Sequence, residues 1–455
     1  MWPALFAAIC LAAIAVRVSG RRLDIVVLGA LIVGYIVGNR GFAQLMPAPG
    51  LPLLPAEAGL LIAGGWLIVS CALQRRLPLE RDALNYAVLL CILVGTARVL
   101  FDLKPWGLVA VRDFATVYYA GFFFIAQAVA RDPAARRFLL GSLLVGVIVL
   151  LPMYALSLVA PEFFLTQLTV RGVPLIFYKG DLVYTFLMAG STLLFHWAEG
   201  PRQWHWRALS AVLFIAVVAS DSRASLAGGI AALGLLGLRR RWNFARLQLA
   251  ATLGSLLLLV ALAVLVRNDW AERKVDSAVD RVSSMVDVTG RARYRSDDSY
   301  FRSDNNRFRL VWWTNVVRET WAGNPVFGLG FGHDLASRFV REYYPEASED
   351  SSTRSPHNLL VTVFGRMGFV GLIAWLALMA AMLRTSLQVL ANEQLSRAWG
   401  LAVAPWVVWI SACFGVVLEG PMAAVPFWIM LGLLNAERRA QEESQADGAA
   451  TGRKP

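Results

Sequence analysis

The stretch Ser355-Pro356-His357-Asn358-Leu359-Leu360-Val361-Thr362-Val363-Phe364-Gly365 marks a boundary that decides the fold. Before it lie 90 polar residues, Arg267 to Pro356, carrying 13 Arg, one Lys and 14 acidic residues. After it an apolar run continues to about 383, and the 266 residues before the polar stretch are also mostly apolar. The chain is 57% hydrophobic and 16% charged, where a soluble domain carries about 25% charge. Runs long enough to cross a bilayer recur throughout. Spans are expected near 2–17, 24–40, 57–74, 84–103, 107–130, 138–160, 180–198, 207–221, 223–238, 247–266, 357–383, 399–417 and 421–436, about 13 in all. The first lacks a basic leader region and a clear cleavage site, and so reads as a retained span.

This pattern is that of an all-α polytopic membrane protein with 12–13 transmembrane helices and one large, partly helical external loop. The expected organisation is an N-terminal bundle of about ten spans (1–266), the loop (267–356), C-terminal spans (357–436) and a disordered tail (437–455). Alternate connectors are rich in arginine: Arg17, Arg21 and Arg22; Arg75, Arg76 and Arg81; Arg131, Arg136 and Arg137; Arg239, Arg240 and Arg241. The connectors between them, such as 41–56 and 418–425, carry no Lys or Arg. Positive charge marks the cytoplasmic side, so the loop faces outward and the tail inward. The net charge of +12 thus reports topology and contact with anionic lipid headgroups, not nucleic-acid binding. No metal-ligand spacing and no nucleotide phosphate loop appears, so neither a metal nor a cofactor is expected.

Cations on the outer side run against this bias and need another reason. They are Arg98, Lys104, Arg112, Arg171, Lys179 and Arg223, with those of the loop. One explanation is pairing with neighbouring acids: Arg112 with Asp113, Lys179 with Asp181, Arg223 with Asp221. The other is a shared anionic ligand, for which the bidentate, permanently charged guanidinium is suited. Of four histidines, only His333 and His357 fall on this side. Ser355 and Pro356 read as cap and first residue of the next helix, which would put His357 in its first turn. There the positive helix end disfavours imidazolium and attracts phosphate, a setting for a neutral base beside an anion. The alternative is a capping histidine without chemistry. Gly328-Leu329-Gly330-Phe331-Gly332 lacks the context of a dinucleotide site and reads as a tight turn or close approach. Trp312, Trp313 and Trp321 fit an amphipathic helix anchored on the membrane face.

Four elements together resemble the O-antigen ligase/polymerase superfamily of bacterial membrane glycosyltransferases. They are the Ser222-Arg223 turn, Arg309 four residues before Trp313, the Asn324-Pro325…Gly332 segment, and Pro356-His357-Asn358 with Gly368 and Gly371. Arg366 departs from the pattern, since the position before Met367-Gly368 is often acidic there. The resemblance implies a GT-C-like architecture in the bacterial inner membrane and metal-independent, inverting transfer at the periplasmic face. The donor would be a glycan on undecaprenyl pyrophosphate. The acceptor would be lipid A–core, or a second lipid-linked glycan in a polymerase. His357 would be the base, and Arg223, Arg309, Arg307 and Arg112 would hold the pyrophosphate. Asn358, His333, Lys179 and Arg366 are supporting candidates. A polysaccharide or lipid transporter is the competing class, but no pair of broken, repeated segments marks an inverted repeat.

Overall fold

The computed structural model describes residues 22–46, 53–75, 77–197, 203–220, 222–239, 297–339 and 354–450, with scattered residues between 246 and 261. Its helices are α1 (Leu23–Ala43, with an internal π-turn), α2 (Pro55–Gln74), α3 (Ala83–Trp106), α4 (Leu108–Asp113), α5 (Ala115–Tyr118), α6 (Gly121–Val129) and α7 (Pro133–Val159). There follow α8 (Gly180–Leu193), α9 (Trp204–Val218), α10 (Arg223–Leu238), α11 (Asp297–Gly323), α12 (Leu359–Ala391), α13 (Trp399–Ala412) and α14 (Pro421–Ala450). The fold is all-α and multi-pass. Among the described residues the only sheet is a hairpin, β1 (Thr169–Val170) with β2 (Val173–Pro174). Its two-residue turn, Arg171-Gly172, has positive φ at both positions, as a twist-matched hairpin requires. Arg171 is therefore exposed at a hairpin tip.

Five described helices (α1, α2, α3, α7 and α12) are long and apolar enough to cross a membrane, and a sixth span arises if α4–α6 is one bent crossing. The expected count of about 13 takes in residues beyond those described. The run at 2–17 lies outside the described residues, as does most of 247–266. Where 180–198, 207–221, 223–238 and 399–417 were read as spans, α8, α9, α10 and α13 have only 14 to 16 residues. At 1.5 Å per residue these fall short of the roughly 30 Å hydrocarbon thickness. The run at 107–130 is also not one helix: it breaks twice and bends by 41°. Its polar residues have distant partners that a straight rod would miss. Asp113 reaches Arg366 of α12, while Tyr118 and Tyr119 both donate to Glu57 of α2.

The core is a set of large aromatics shared by the last three helices. Trp375 of α12 packs against Trp409 of α13 and Trp428 of α14, and all three are almost fully buried. Small residues let α10 approach closely. A Cβ on Gly228 would lie 2.9 Å from the carbonyl oxygen of Val407, and one on Gly229 would lie 2.6 Å from Sδ of Met188.

α12 is interrupted at Gly368 (φ 61°, ψ −155°), which orphans backbone groups on either side. The glycine-rich segment 325–332 replaces the lost bonds. The N–H groups of Phe369 and Val370 donate to the carbonyls of Pro325 (2.9 Å) and Val326 (3.2 Å). In return, Leu329 and Gly330 donate to the carbonyls of Gly365 (2.7 Å) and Arg366 (3.1 Å). Gly328, Gly330 and Gly332 all have positive φ. A Cβ on them would strike, in order, the Arg366 backbone, the Arg98–Asp102 pair and the Trp106 side chain. The close-approach reading of this segment is the correct one: it is a backbone splice.

The chain end differs from expectation. The segment from 437 was read as a disordered tail, but α14 continues to Ala450. Its ties include Arg438 and Arg439 to Asp82 at 2.9 and 3.2 Å and Arg136 to Glu437 at 3.1 Å.

Candidate active site

Asp82 caps the start of α3, and the glycine segment between α11 and α12 meets its far end, where the Phe331 N–H donates to Asp102. A cavity of about 190 Å³ is lined by Arg223, Ser222, Arg309, Asp181 and the 414–417 segment after α13. Ser222 caps α10, its side chain accepting from the Ser225 N–H, and this places Arg223 at the first position of the helix. Arg309 comes from α11, a helix from a distant part of the sequence. The two arginines expected to share an anion therefore line one cavity. Asp221, expected to pair with Arg223, lies outside the described residues.

His357 stands beside this cavity and not in the first turn of α12. The cap of α12 is Asn358, whose side-chain oxygen accepts from the Val361 N–H at 3.1 Å. Ser355 and Pro356 are thus not the cap and first helical residue. Ser355 instead uses its hydroxyl elsewhere, and His357 sits just outside the helix at φ 55°. A non-glycine residue holds that conformation only where its surroundings over-determine it, which is common at functional sites. Three contacts do so here. The Trp312 ring meets the His357 ring edge-on at 5.4 Å, Trp313 donates to the Pro356 carbonyl at 2.7 Å, and the His357 N–H reaches Ser355 Oγ at 3.4 Å.

The imidazole is held to about 4, well below an ordinary histidine. Burial is the first cause, followed by the charges of Arg309 and Lys179, with Asp181 opposing. The neutral ring expected from a helix end is thus obtained by a different route. Lys179 precedes α8, where its backbone N–H donates to Asn39 Oδ1 at 3.1 Å. Burial lowers its ammonium, and burial likewise lowers the Arg309 guanidinium, although Asp181 pulls both the other way. Two desolvated cations therefore flank a neutral histidine.

The remaining candidates separate from this group. Arg112 is exposed on α4 and does not line the cavity. Its neighbour Asp113 pairs instead with Arg366 at 2.7 Å and Arg354 at 3.6 Å. Arg307 is exposed on α11, two positions from Arg309 and so on another face of the helix. Arg366 is 3% exposed and serves the splice, where Asp113 also accepts from the Gly332 N–H at 3.0 Å. His333 bonds Glu319 at 2.9 Å, and its carbonyl accepts from Arg366 at 3.4 Å. Trp312 and Trp313 are not membrane anchors. Trp312 is 2% exposed, stacks on Phe339 at 4.9 Å and supports His357, while Trp321 alone of the three is exposed.

One residue of the site escaped the sequence reading. Glu419 accepts from Ser355 Oγ at 2.6 Å and from Thr362 Oγ1 at 3.1 Å. Its signal was a lone carboxylate in the connector 418–425, which carries no cation to pair with it. Among the described residues, no group of three or more His, Cys, Asp or Glu is placed to hold a metal ion.

No curated protein matches the chain significantly. Residues 208–376 match the family model described as O-Antigen ligase. That stretch contains Arg223, Arg309, the glycine splice, His357 and the break in α12. Over residues 208–376 the chain is thus similar to the O-antigen ligase superfamily, and the match takes in every residue gathered at this cavity except those before 208 and after 376.

Proposed function

We propose that the chain transfers a glycan from undecaprenyl pyrophosphate to an acceptor hydroxyl at the periplasmic face of the bacterial inner membrane. The observation that carries this reading is the convergence of Arg223 and Arg309 on one cavity, with Arg309 and Lys179 acting on a neutral His357. Neutral His357 takes the proton of the acceptor hydroxyl. The oxygen attacks the anomeric carbon of the donor's reducing-end sugar, opposite its pyrophosphate. The carbon–oxygen bond to pyrophosphate breaks, the configuration inverts, and undecaprenyl pyrophosphate leaves with the electron pair. Arg223, Arg309 and Lys179 stabilise the charge that grows on it.

The electrostatics couple the two substrates. Without donor, the charges of Arg309 and Lys179 help keep His357 unprotonated but also weakly basic. A bound pyrophosphate offsets those charges and strengthens the base when there is a glycan to transfer. No nucleotide or metal is needed for these steps.

Ligation and polymerisation differ in the acceptor alone. Purified protein given a lipid-pyrophosphate glycan, with either lipid A–core or a second donor molecule, distinguishes them by product. The ligase reading expects glycan on lipid A–core. Elongated lipid-linked glycan in its place makes the chain a polymerase, and no transfer from the lipid pyrophosphate to either acceptor refutes the donor assignment.

A further inference from the structure

We propose that Glu419 is a positioning residue that holds His357 in its working orientation. The inference rests on the reading of His357 as the base. Glu419 lies in the connector between α13 and α14, beyond the residues matched by the family model. Its Oε1 accepts from Ser355 Oγ and Thr362 Oγ1, so one oxygen joins the segment before His357 to the first turn of α12.

The bonding has a direction. A serine hydroxyl has one proton. Ser355 donates it to Glu419, which leaves its lone pairs as acceptors, and the His357 N–H approaches the same oxygen. The carboxylate therefore fixes the rotor that receives the His357 backbone at its left-handed φ. Packing does not require a carboxylate here, because an apolar side chain would fill the space without the cost of desolvating a charge. Burial holds the Glu419 carboxyl above its ordinary range, and the Ser355 hydroxyl, the charge of Arg366 and the Thr362 hydroxyl offset part of that cost. The same connector carries Phe414, Gly415 and Val417, which line the cavity of Arg223 and Arg309. Glu419 thus couples the wall that faces the donor to the backbone that carries the base.

The test compares Glu419→Ala with Glu419→Gln in the purified full-length protein. The amide keeps an acceptor oxygen and the shape of the side chain; alanine keeps neither. Glu419→Ala is expected to lower kcat by about ten-fold or more while donor KM stays within about two-fold, since misplacement of the base affects chemistry more than donor binding. Glu419→Gln should recover to within about three-fold of the parent. A second readout does not depend on transfer: the rate at which diethyl pyrocarbonate modifies His357, followed by peptide mass spectrometry. It should rise in Glu419→Ala and stay near the parent value in Glu419→Gln. If Glu419→Ala does not insert, Ser355→Ala removes the middle of the relay and is expected to show the same kcat loss and faster modification. Parent-like kcat in the alanine variant, equal losses in both Glu419 variants, or an unchanged modification rate would overturn the proposal. Failure of the base assignment is recognised separately, by His357→Ala retaining transfer. The modification rate then still judges whether Glu419 positions the ring.

Discussion

At one end of the bundle Asp82 meets Arg438 and Arg439; at the other, Arg309 and Lys179 flank His357. The first cluster is closed. Asp82 accepts from the Asn85 backbone at 2.8 Å, from Asn435 at 3.0 Å, and from Arg438 and Arg439 at 2.9 and 3.2 Å. Gln127 bridges Asn85 and Asn435 behind it. Burial alone would raise the Asp82 carboxyl, but these donors outweigh burial and hold it below its ordinary range. The second cluster is built differently. Burial lowers both Arg309 and Lys179, Asp181 opposes this at both, Glu419 also opposes it at Lys179, and Arg223 lines the same open cavity as Arg309. One set of buried charges satisfies itself and ties the last helix to the first half of the chain. The other lines an open cavity, where the proposed function seats the pyrophosphate.

The largest expected effect is at the site end. His357→Ala should lower transfer by about 10²–10⁴-fold, the usual range for losing a general acid or base, while the protein inserts normally. Transfer assays on purified variant and parent check this. The strongest effect at the closed end should fall on stability instead. Asp82→Ala leaves Arg438 and Arg439 with the half-exposed Glu442 as their remaining acid and should cost about 1–3 kcal/mol in unfolding, with transfer per folded molecule unchanged. Thermal unfolding and specific activity, measured on one preparation, break the comparison if the losses are reversed.

Arg223→Ala and Arg309→Ala should each lower transfer by about 10²–10³-fold, as when a preorganised donor to a developing anion is removed. The exposed Arg137, at the opposite end, serves as the control and should be silent. Equal losses at all three positions would argue against a pyrophosphate clamp.

The closed end and the site end were not equally legible in the sequence. Hydropathy and arginine bias were enough for an all-helical membrane protein with one large polar insertion. They did not reveal that α8, α9, α10 and α13 are apolar but short, because composition does not show where a helix stops. The disordered tail was misread for a related reason: a polar helix is stabilised by partners such as Asp82, more than 350 residues away in sequence. At the site, Arg223, Arg309 and His357 stood out because each opposed a local rule. Arg112 and Arg307 opposed the same rule and yet point away, since facing direction depends on helix phase. Glu419 was missed because its partners are hydroxyls of another segment, which leave no charge pattern.

Two smaller effects sharpen the contrast. His357 is held down to about 4, so it stays deprotonated as pH falls until that range is reached. The acid limb of kcat/KM, which reports the free enzyme, should therefore lie near pH 4 and not near the ordinary histidine value of about 6.5. Removing the positive charge in Arg309→Ala should move that limb upward, because Arg309 is one of the causes of the depression. A limb that moves downward, or not at all, contradicts the electrostatic account. The smallest effect belongs to Arg112→Ala. An exposed residue outside the cavity should change stability by less than about 0.5 kcal/mol and leave donor KM unaltered.

The central claim is that the cavity end binds a lipid pyrophosphate and that His357 then removes the acceptor proton. Single-turnover transfer by His357→Ala, saturated with lipid-pyrophosphate glycan and acceptor, tests it most directly. The account predicts a rate constant lower by at least about 10²-fold in the presence of bound donor. A single-turnover rate equal to that of the parent would contradict it.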